Sequence, residues 1–355
     1  MMRWLRPLKW ILLGIVILLV ALALYKRPRT PDVRGDDGRE VPGAVASLEE
    51  MTLGGVPQWV LVRGDPSKPL VLFLHGGPGM PMMWMAHRFQ RPLEDEFLLV
   101  HWDQRGAGKS FASPPSVSSM TDEQILSDAL ELVDTLRSRY GKDRIILVGH
   151  SWGTYIGTLF AQRHPELLDA YVGIGQVTRS ERQDSIVRGW LRGRAVERNE
   201  PEAIADLEAR GEIAYEKWLF RFGGELHGET SYMPFIWTGL RAPEYGLRDV
   251  MRVGQGSSWS SAHMREIALD GPLSSQVRCL AVPVWLFAGR YDYVTPATLA
   301  LEWLDGLQAP SKQAVRFDRS AHFPHFEQPA EFQEALRRVS SESLGWQREA
   351  PDFCE

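Results

Sequence analysis

The feature that most constrains this 355-residue chain is the run Arg144-Ile145-Ile146-Leu147-Val148, followed at once by Gly149-His150-Ser151-Trp152-Gly153. A short apolar run of this kind suits a strand covered on both faces. The stretch Thr154 to Arg163 behind it suits a helix, stopped by His164-Pro165. A strand passing into a helix through Gly-x-Ser-x-Gly must turn so tightly that Ser151 is held in a strained backbone conformation, its hydroxyl above the sheet. The flanking glycines leave room for neighbouring backbone. The string alone is common, but strand before and helix after make Ser151 a candidate nucleophile. They also point to a sheet with helices on both faces.

The rest of the chain repeats that alternation. Pro69 to Leu74 and Phe97 to Trp102 are continuous apolar runs, expected as buried strands, and Ala170 to Gly175, Val282 to Ala288 and Ala314 to Phe317 follow. Ser47 to Leu53 and Gln58 to Arg63 flank the turn signal Gly54-Gly55 and are expected as two short strands. Asp122 to Tyr140 carries Ile125, Leu126, Ala129, Leu132, Val133 and Leu136 on one helical face, with Thr121 or Asp122 to cap it. Pro81 to Arg91, rich in Met and aromatics, reads as core helix rather than a ligand box, and a last helix runs through Ala330 to Val339. From Val177 to Leu280 buried strand runs are missing, and polar helical segments carry Trp190, Trp218, Trp237 and Trp259. The expected architecture is therefore α/β: a mostly parallel central sheet over residues 45–176 and 281–345, with a helical cap over 177–280 inserted after the sixth strand.

Residues 1–30 read differently. Arg3, Arg6 and Lys9 precede an uncharged apolar run from Trp10 to Tyr25, closed by Lys26, Arg27 and Arg29. That run is short for a relaxed transmembrane helix of about 20 residues, but snorkelling Lys and Arg extend its reach. Ala21-Leu22-Ala23 resembles a signal-peptide cleavage site, though the basic residues just after it disfavour cleavage. The expectation is a single-pass N-terminal anchor with an extracytoplasmic catalytic domain; the alternative is secretion after cleavage. Residues 31–44 read as a solvated linker. The net charge of −5 does not suggest a nucleic-acid partner. Cys279 and Cys354 are too few for a disulfide framework and leave their pairing open. Thirteen Trp residues is a high count, many of them outside the strands, and an aromatic pocket is one explanation.

A serine hydroxyl needs a base, and the base needs an orienting acid. On a sheet that presents serine at such a turn, the chain order is Ser, then Asp or Glu, then His. Of the histidines after Ser151, His164 ends the nucleophile helix and His227 and His263 fall in the cap. His322, in Ser320-Ala321-His322-Phe323 after the last strand, is the expected base, with His325 its close rival. Asp292, in Gly289-Arg290-Tyr291-Asp292, is the expected acid; Asp318 lies too near the base loop. Oxyanion donors are expected from the N–H of Trp152 and from the loop His75-Gly76-Gly77-Pro78-Gly79, with Gly77 the candidate and Gly76 the fallback. His75 and His150 read as structural.

Together the His75–Gly79 loop, Trp102-Asp103-Gln104-Arg105-Gly106-Ala107-Gly108-Lys109-Ser110, Ser151-Trp152-Gly153 and Gly289-Arg290-Tyr291-Asp292 resemble the proline iminopeptidase family of α/β-hydrolases, over roughly 45–176 and 281–340. The resemblance implies Ser151 as nucleophile, Asp292 as acid, His322 as base, and Gly77 and Trp152 as oxyanion donors. It makes Asp103 and Arg105 braces of the loop beside the site. Aminopeptidases of that family bind the free α-amino group through carboxylates, usually cap glutamates, and some place another carboxylate beside the catalytic Asp. Here Tyr293 stands there, and the cap offers Glu197, Glu200, Glu202, Glu212, Glu216 and Glu225, a run that on its own reads as a solvated face.

The expected function is a serine hydrolase without metal or cofactor, acting through an acyl-enzyme on small peptides or amides with a free N-terminal residue, proline by analogy. A carboxylester or lactone hydrolase with the same triad is the alternative. Carboxylates in the pocket favour the first; an uncharged aromatic pocket favours the second. A catalytically silent binding protein is disfavoured by the complete Ser, Asp and His set. Dehalogenases and epoxide hydrolases place Asp where this chain has Ser151.

Overall fold

Eight strands form one sheet in the computed structural model of the chain, which describes residues 5–25, 28–35, 37–112, 114–178, 180–229, 231–269, 273–344, 346 and 354. The strands are β1 (Val45–Leu53), β2 (Val56–Gly64), β3 (Leu70–Leu74), β4 (Leu98–Asp103), β5 (Ile145–His150), β6 (Leu168–Ile174), β7 (Val284–Gly289) and β8 (Lys312–Phe317), in the order β1-β2-β4-β3-β5-β6-β7-β8. β1 and β2 pair antiparallel, as do β2 and β4; every other pairing is parallel.

Period-two alternation inside the apolar runs feeds two cores, one on each face of the sheet. From β3, Leu70, Leu72 and Leu74 enter the first and Val71 and Phe73 the second; from β5, Ile145 and Leu147 enter the first and Ile146 and Val148 the second. After α1 (Leu5–Tyr25) and α2 (Ala86–Phe89) come α3 (Asp122–Tyr140) and α4 (Trp152–Arg163), which both cover the first core. Thr121 Oγ1 caps α3 by accepting from Gln124 N–H at 3.1 Å, and Gly141 ends it in the left-handed conformation.

The cap runs through α5 (Gln183–Glu197), α6 (Pro201–Arg210), α7 (Tyr215–Phe222), α8 (Met233–Arg241), α9 (Leu247–Leu269) and α10 (Leu273–Gln276). It has two parts. Helices α5 to α7 bury Val187, Leu191, Leu207, Trp218 and Phe222 in a small core of their own. By contrast, α8 and α9 add Phe235, Val250, Val253 and Met264 to the main cores. The fold closes with α11 (Ala297–Gly306), α12 (Pro324–Glu327) and α13 (Pro329–Ser343).

Several expectations change. Residues 81–91 do not make one helix: 3₁₀ turns at Met83–Met85 and Arg91–Leu93 flank the short α2, with Pro92 in the second turn. Met82, Met83, Met85 and Phe89 are buried, so the segment is core all the same. α11 was not expected, although Leu299, Ala300, Trp303 and Leu304 give it a readable buried face. Trp218 and Trp237 of the cap share no environment: Trp218 is fully buried in the cap core and Trp237 is 50% exposed. The stretch 31–44 is not wholly solvated, since Val33 is buried and Arg63 Nη1 bonds Thr30 Oγ1 and Pro31 O. Cys279 and Cys354 form a disulfide. Residues 5–25 do form a helix, but among the described residues no helix is long and apolar enough to cross a membrane. Arg3, Lys26 and Arg27 lie outside the described residues.

Candidate active site

All the candidate residues hang from the carboxyl ends of the parallel strands, where an open α/β sheet places its crevice. Ser151 links β5 to α4 with φ 51° and ψ −119°, a region that side chains rarely adopt. Its N–H donates to Ile174 O at 2.9 Å, and its carbonyl accepts from Thr154 N–H at 2.8 Å and Thr154 Oγ1 at 2.6 Å. The turn closes because Gly153 has no side chain: a Cβ there would sit 2.1 Å from Leu74 O. Trp152, the first residue of α4, carries an N–H with no acceptor inside the helix, at its positive end.

The glycine loop after β3 crosses over the serine. A Cβ on Gly76 would lie 3.3 Å from Ser151 Cβ, so this backbone passes directly beside the hydroxyl-bearing residue. Gly77 has φ +120° and precedes a cis peptide to Pro78; a Cβ on it would meet Gly79 N at 2.4 Å. His75 braces the loop from within. Its Nδ1–H donates to Gly76 O at 2.8 Å, and its Nε2 accepts from Gln104 N–H at 3.1 Å. Burial pushes its imidazole down to about 4, so it stays neutral. The Gln104 side chain joins both candidate oxyanion elements, donating to His75 O at 3.3 Å and accepting from Trp152 Nε1–H at 3.3 Å. The sequence marks Gln104 only as a member of the Trp102–Ser110 motif, with no sign of this bridging contact.

His322 and Asp292 meet directly. His322 Nδ1–H donates to Asp292 Oδ2 at 2.9 Å, and both side chains are buried. Asp292 is itself fixed: Oδ1 accepts from the N–H of Val294 and Thr295, each at 2.9 Å, and Oδ2 from Thr295 Oγ1 at 3.0 Å. Burial pulls the His322 imidazole down, but Asp292 first, then Glu225 and Glu327, outweigh it and leave its pKa raised. The Ile174-Gly175 backbone lies beside both partners: Ile174 O holds Ser151 N–H, and a Cβ on Gly175 would sit 2.7 Å from His322 Cε1. Among the described residues no hydrogen bond joins Ser151 Oγ to His322. His325, the rival base, is fully buried beside Phe89 and His150 with neither ring nitrogen bonded, and burial pushes it down to about 3. Asp318 is exposed.

Two glutamates approach His322, the candidate base. The backbone carbonyl of Glu225 accepts His322 N–H at 3.0 Å, and Tyr232 donates to its carboxylate at 2.7 Å. Burial raises the Glu225 carboxyl. Among the other cap glutamates, Glu197, Glu200 and Glu202 pair with Arg194, Arg221 and Lys217, and Glu212 and Glu216 are exposed. Glu327, absent from the sequence reading, accepts from the N–H of Ala321 at 3.0 Å, Phe323 at 3.1 Å and His227 of the cap at 2.6 Å. Burial, against those donors, pushes its carboxyl up to about 7. Tyr293 stacks on Trp190 at 4.1 Å.

Asp103 and Arg105 sit behind the site. Arg105 makes a fully buried fork to Asp128 of α3, Nε to Oδ2 at 2.8 Å and Nη2 to Oδ1 at 2.9 Å. Asp103 takes the phenol of Tyr245 from the cap and Lys109 N–H at 2.8 Å, and burial pushes it up to about 7. Lys109 Nζ reaches Asp249 of α9 at 3.0 Å. The motif therefore moors the second half of the cap to the core. Among the described residues no cluster of His, Cys, Asp and Glu is arranged to hold a metal ion.

The profile of the α/β hydrolase fold family matches residues 69–210. A probable aminopeptidase, YbaC, of Bacillus subtilis is 30% identical over 315 residues, covering 85% of this chain and 98% of its own length. The proline iminopeptidase-related protein of Thermus thermophilus superposes with a TM-score of 0.63 at 19% identity, over 84% of this chain and 99% of its own. The proline iminopeptidase of Mycobacterium smegmatis does so with a TM-score of 0.57 at 21% identity, over the same shares. With the sheet order, the inserted cap and these similarities in hand, the chain belongs to the α/β-hydrolase family.

Proposed function

We propose that this hydrolase is an aminopeptidase that releases an N-terminal residue, proline among those accepted, from short peptides or amides. Ser151 attacks the carbonyl carbon, His322 Nε2 takes its proton, and Asp292 holds the imidazole in the tautomer that can do so. The N–H groups of Gly77 and Trp152 receive the oxyanion at the mouth of α4. His322 then protonates the leaving amine, and water activated by the same ring releases the acyl group from Ser151. The observation that carries the peptidase reading is Glu225, a half-buried cap carboxylate whose own backbone holds His322. An ammonium bound there would place the first residue of a peptide over the triad. The similarity to a probable aminopeptidase along 98% of its length supports the same reading.

The alternative, a carboxylester or lactone hydrolase, draws on Tyr293, which replaces a second carboxylate with an aromatic wall stacked on Trp190. We further place the catalytic domain outside the cytoplasm behind an N-terminal anchor. The Cys279–Cys354 disulfide suits an oxidising compartment, and the described apolar side chains of α1 are exposed.

The test is kcat/KM for a prolyl amide, its N-blocked form and a short-chain ester with wild type, Glu225→Gln and Ser151→Ala. Cleavage of the free amide, lost on blocking and reduced roughly 10- to 100-fold by Glu225→Gln with the ester unaffected, is the expected result. Turnover of the ester alone, abolished by Ser151→Ala, would leave the triad standing and replace the aminopeptidase with the esterase.

A further inference from the structure

Helix α8 has two apolar faces, and only the inward one is packed. Inward, Phe235 packs on Phe323 and Phe326 with ring centroids at 5.1 and 4.1 Å, beside the base loop. Outward, Met233, Ile236, Trp237 and Leu240 recur at helical spacing and stay 44, 48, 50 and 43% exposed. Arg241, at the end of α8, lays its guanidinium 5.5 Å from the Trp237 ring centre, and Arg248, in the first turn of α9, is also exposed.

The N-terminal arm of the chain arrives at the same place. Arg29 N–H donates to Pro243 O at 3.0 Å, two residues beyond the end of α8, and α1 touches α9. Only residues 26–28 separate that tether from Tyr25, the last residue of α1. Along α1, Trp10 to Leu13, Ile15 to Leu18 and Val20 are all exposed, on every side of the helix. A helix apolar all round belongs in a hydrophobic medium rather than in water.

We propose that the outward face of α8 is a lipid-facing surface, set into the interfacial zone of a bilayer with anionic headgroups. Met233, Ile236, Trp237 and Leu240 lie at the acyl boundary, and Arg241 and Arg248 meet the headgroups. Trp and Leu on one side with Arg at the rim is the pattern that partitions into that zone. The cap, rather than the far face of the sheet, is then the side of the enzyme laid against the membrane. The proposal rests on the anchor reading, which fixes the α8 end of the molecule to the bilayer.

The experiment reconstitutes the full chain into phosphatidylcholine vesicles containing a minority of phosphatidylglycerol. A nitroxide is carried on Ile236→Cys, on Trp237→Cys as a second site, or on Ser341→Cys of α13 as reference; unchanged ester turnover verifies each fold. Flotation with the vesicles reads the anchor separately. The expected result is that the chain floats, with labels on α8 several-fold less accessible to a water-soluble nickel chelate than the reference label and more accessible to oxygen. A chain that floats with α8 labels as wet as the reference overturns the lipid-facing surface and leaves the anchor standing. A chain that does not float overturns both. Spin–spin broadening between α8 labels that persists when labelled chains are sparse in lipid assigns the face to a second copy and overturns the proposal.

Discussion

His150 Nε2–H donates to the backbone carbonyl of His322 at 3.0 Å, so the residue preceding the candidate nucleophile anchors the loop that carries the candidate base. Burial, then the neighbouring His322 and His325, hold the His150 imidazole well below its ordinary range. It is a neutral strut that couples two stretches of the chain 172 positions apart.

Ser151→Gly and Ser151→Ala should both abolish turnover, but only the glycine should stabilise the fold. The serine occupies φ 51°, where a side chain costs about 1 kcal/mol or more and glycine does not. Urea unfolding of the two variants checks this, and equal midpoints would remove strain from the account of the turn.

The acid limb of kcat/KM should lie above pH 6.5, because the proton acceptor must be neutral and His322 is raised from that value, the Asp292 carboxylate overcoming burial. Asp292→Asn removes the carboxylate, so the limb should move to lower pH while kcat falls by about 10⁴. A pH profile of both proteins decides it; a limb that stays in place means another group titrates.

Glu327→Gln should lower kcat more than it changes KM, because an amide cannot accept from Ala321, Phe323 and His227 together and the base loop loses its hold. It should also change the pH dependence of stability. A carboxyl raised on folding from 4.5 to about 7 binds its proton more tightly in the folded chain. Its contribution is full below pH 4.5 and is lost as pH rises through about 7. Unfolding midpoints across that window should fall more steeply for wild type than for the variant, and parallel curves would refute the assignment.

Arg105→Ala should cost about 3–5 kcal/mol, since it strands the Asp128 carboxylate without its cation in the interior. Arg105→Lys should recover little, because a single ammonium cannot repeat the two-pronged contact. Thermal unfolding of both variants measures it.

Reduction of Cys279–Cys354, or replacement of both by serine, should lower stability by about 2–4 kcal/mol by freeing Cys354 from the segment that leads into β7. Scans with and without reductant test this; unchanged melting would mean the bridge adds nothing to the fold.

The sequence by itself determined the sheet, the cap insertion and the turn at Ser151. Each rests on local physics: apolar runs that must be covered, periodicity of one face, and glycines that alone permit a close turn. α11 was legible in the same way and was passed over. What tertiary structure decided were relations between distant residues. Of the six candidate cap glutamates named from the sequence, only contact with the loop of the candidate base distinguishes Glu225, and a carboxylate spanning Ala321, Phe323 and His227 singles out Glu327. The pairing of Cys279 with Cys354, the division of the cap into two packing units and the break within residues 81–91 belong here too. Local propensity sets which elements form, but polar groups choose partners only when folding removes water from around them and leaves unpaired donors and charges too costly to keep.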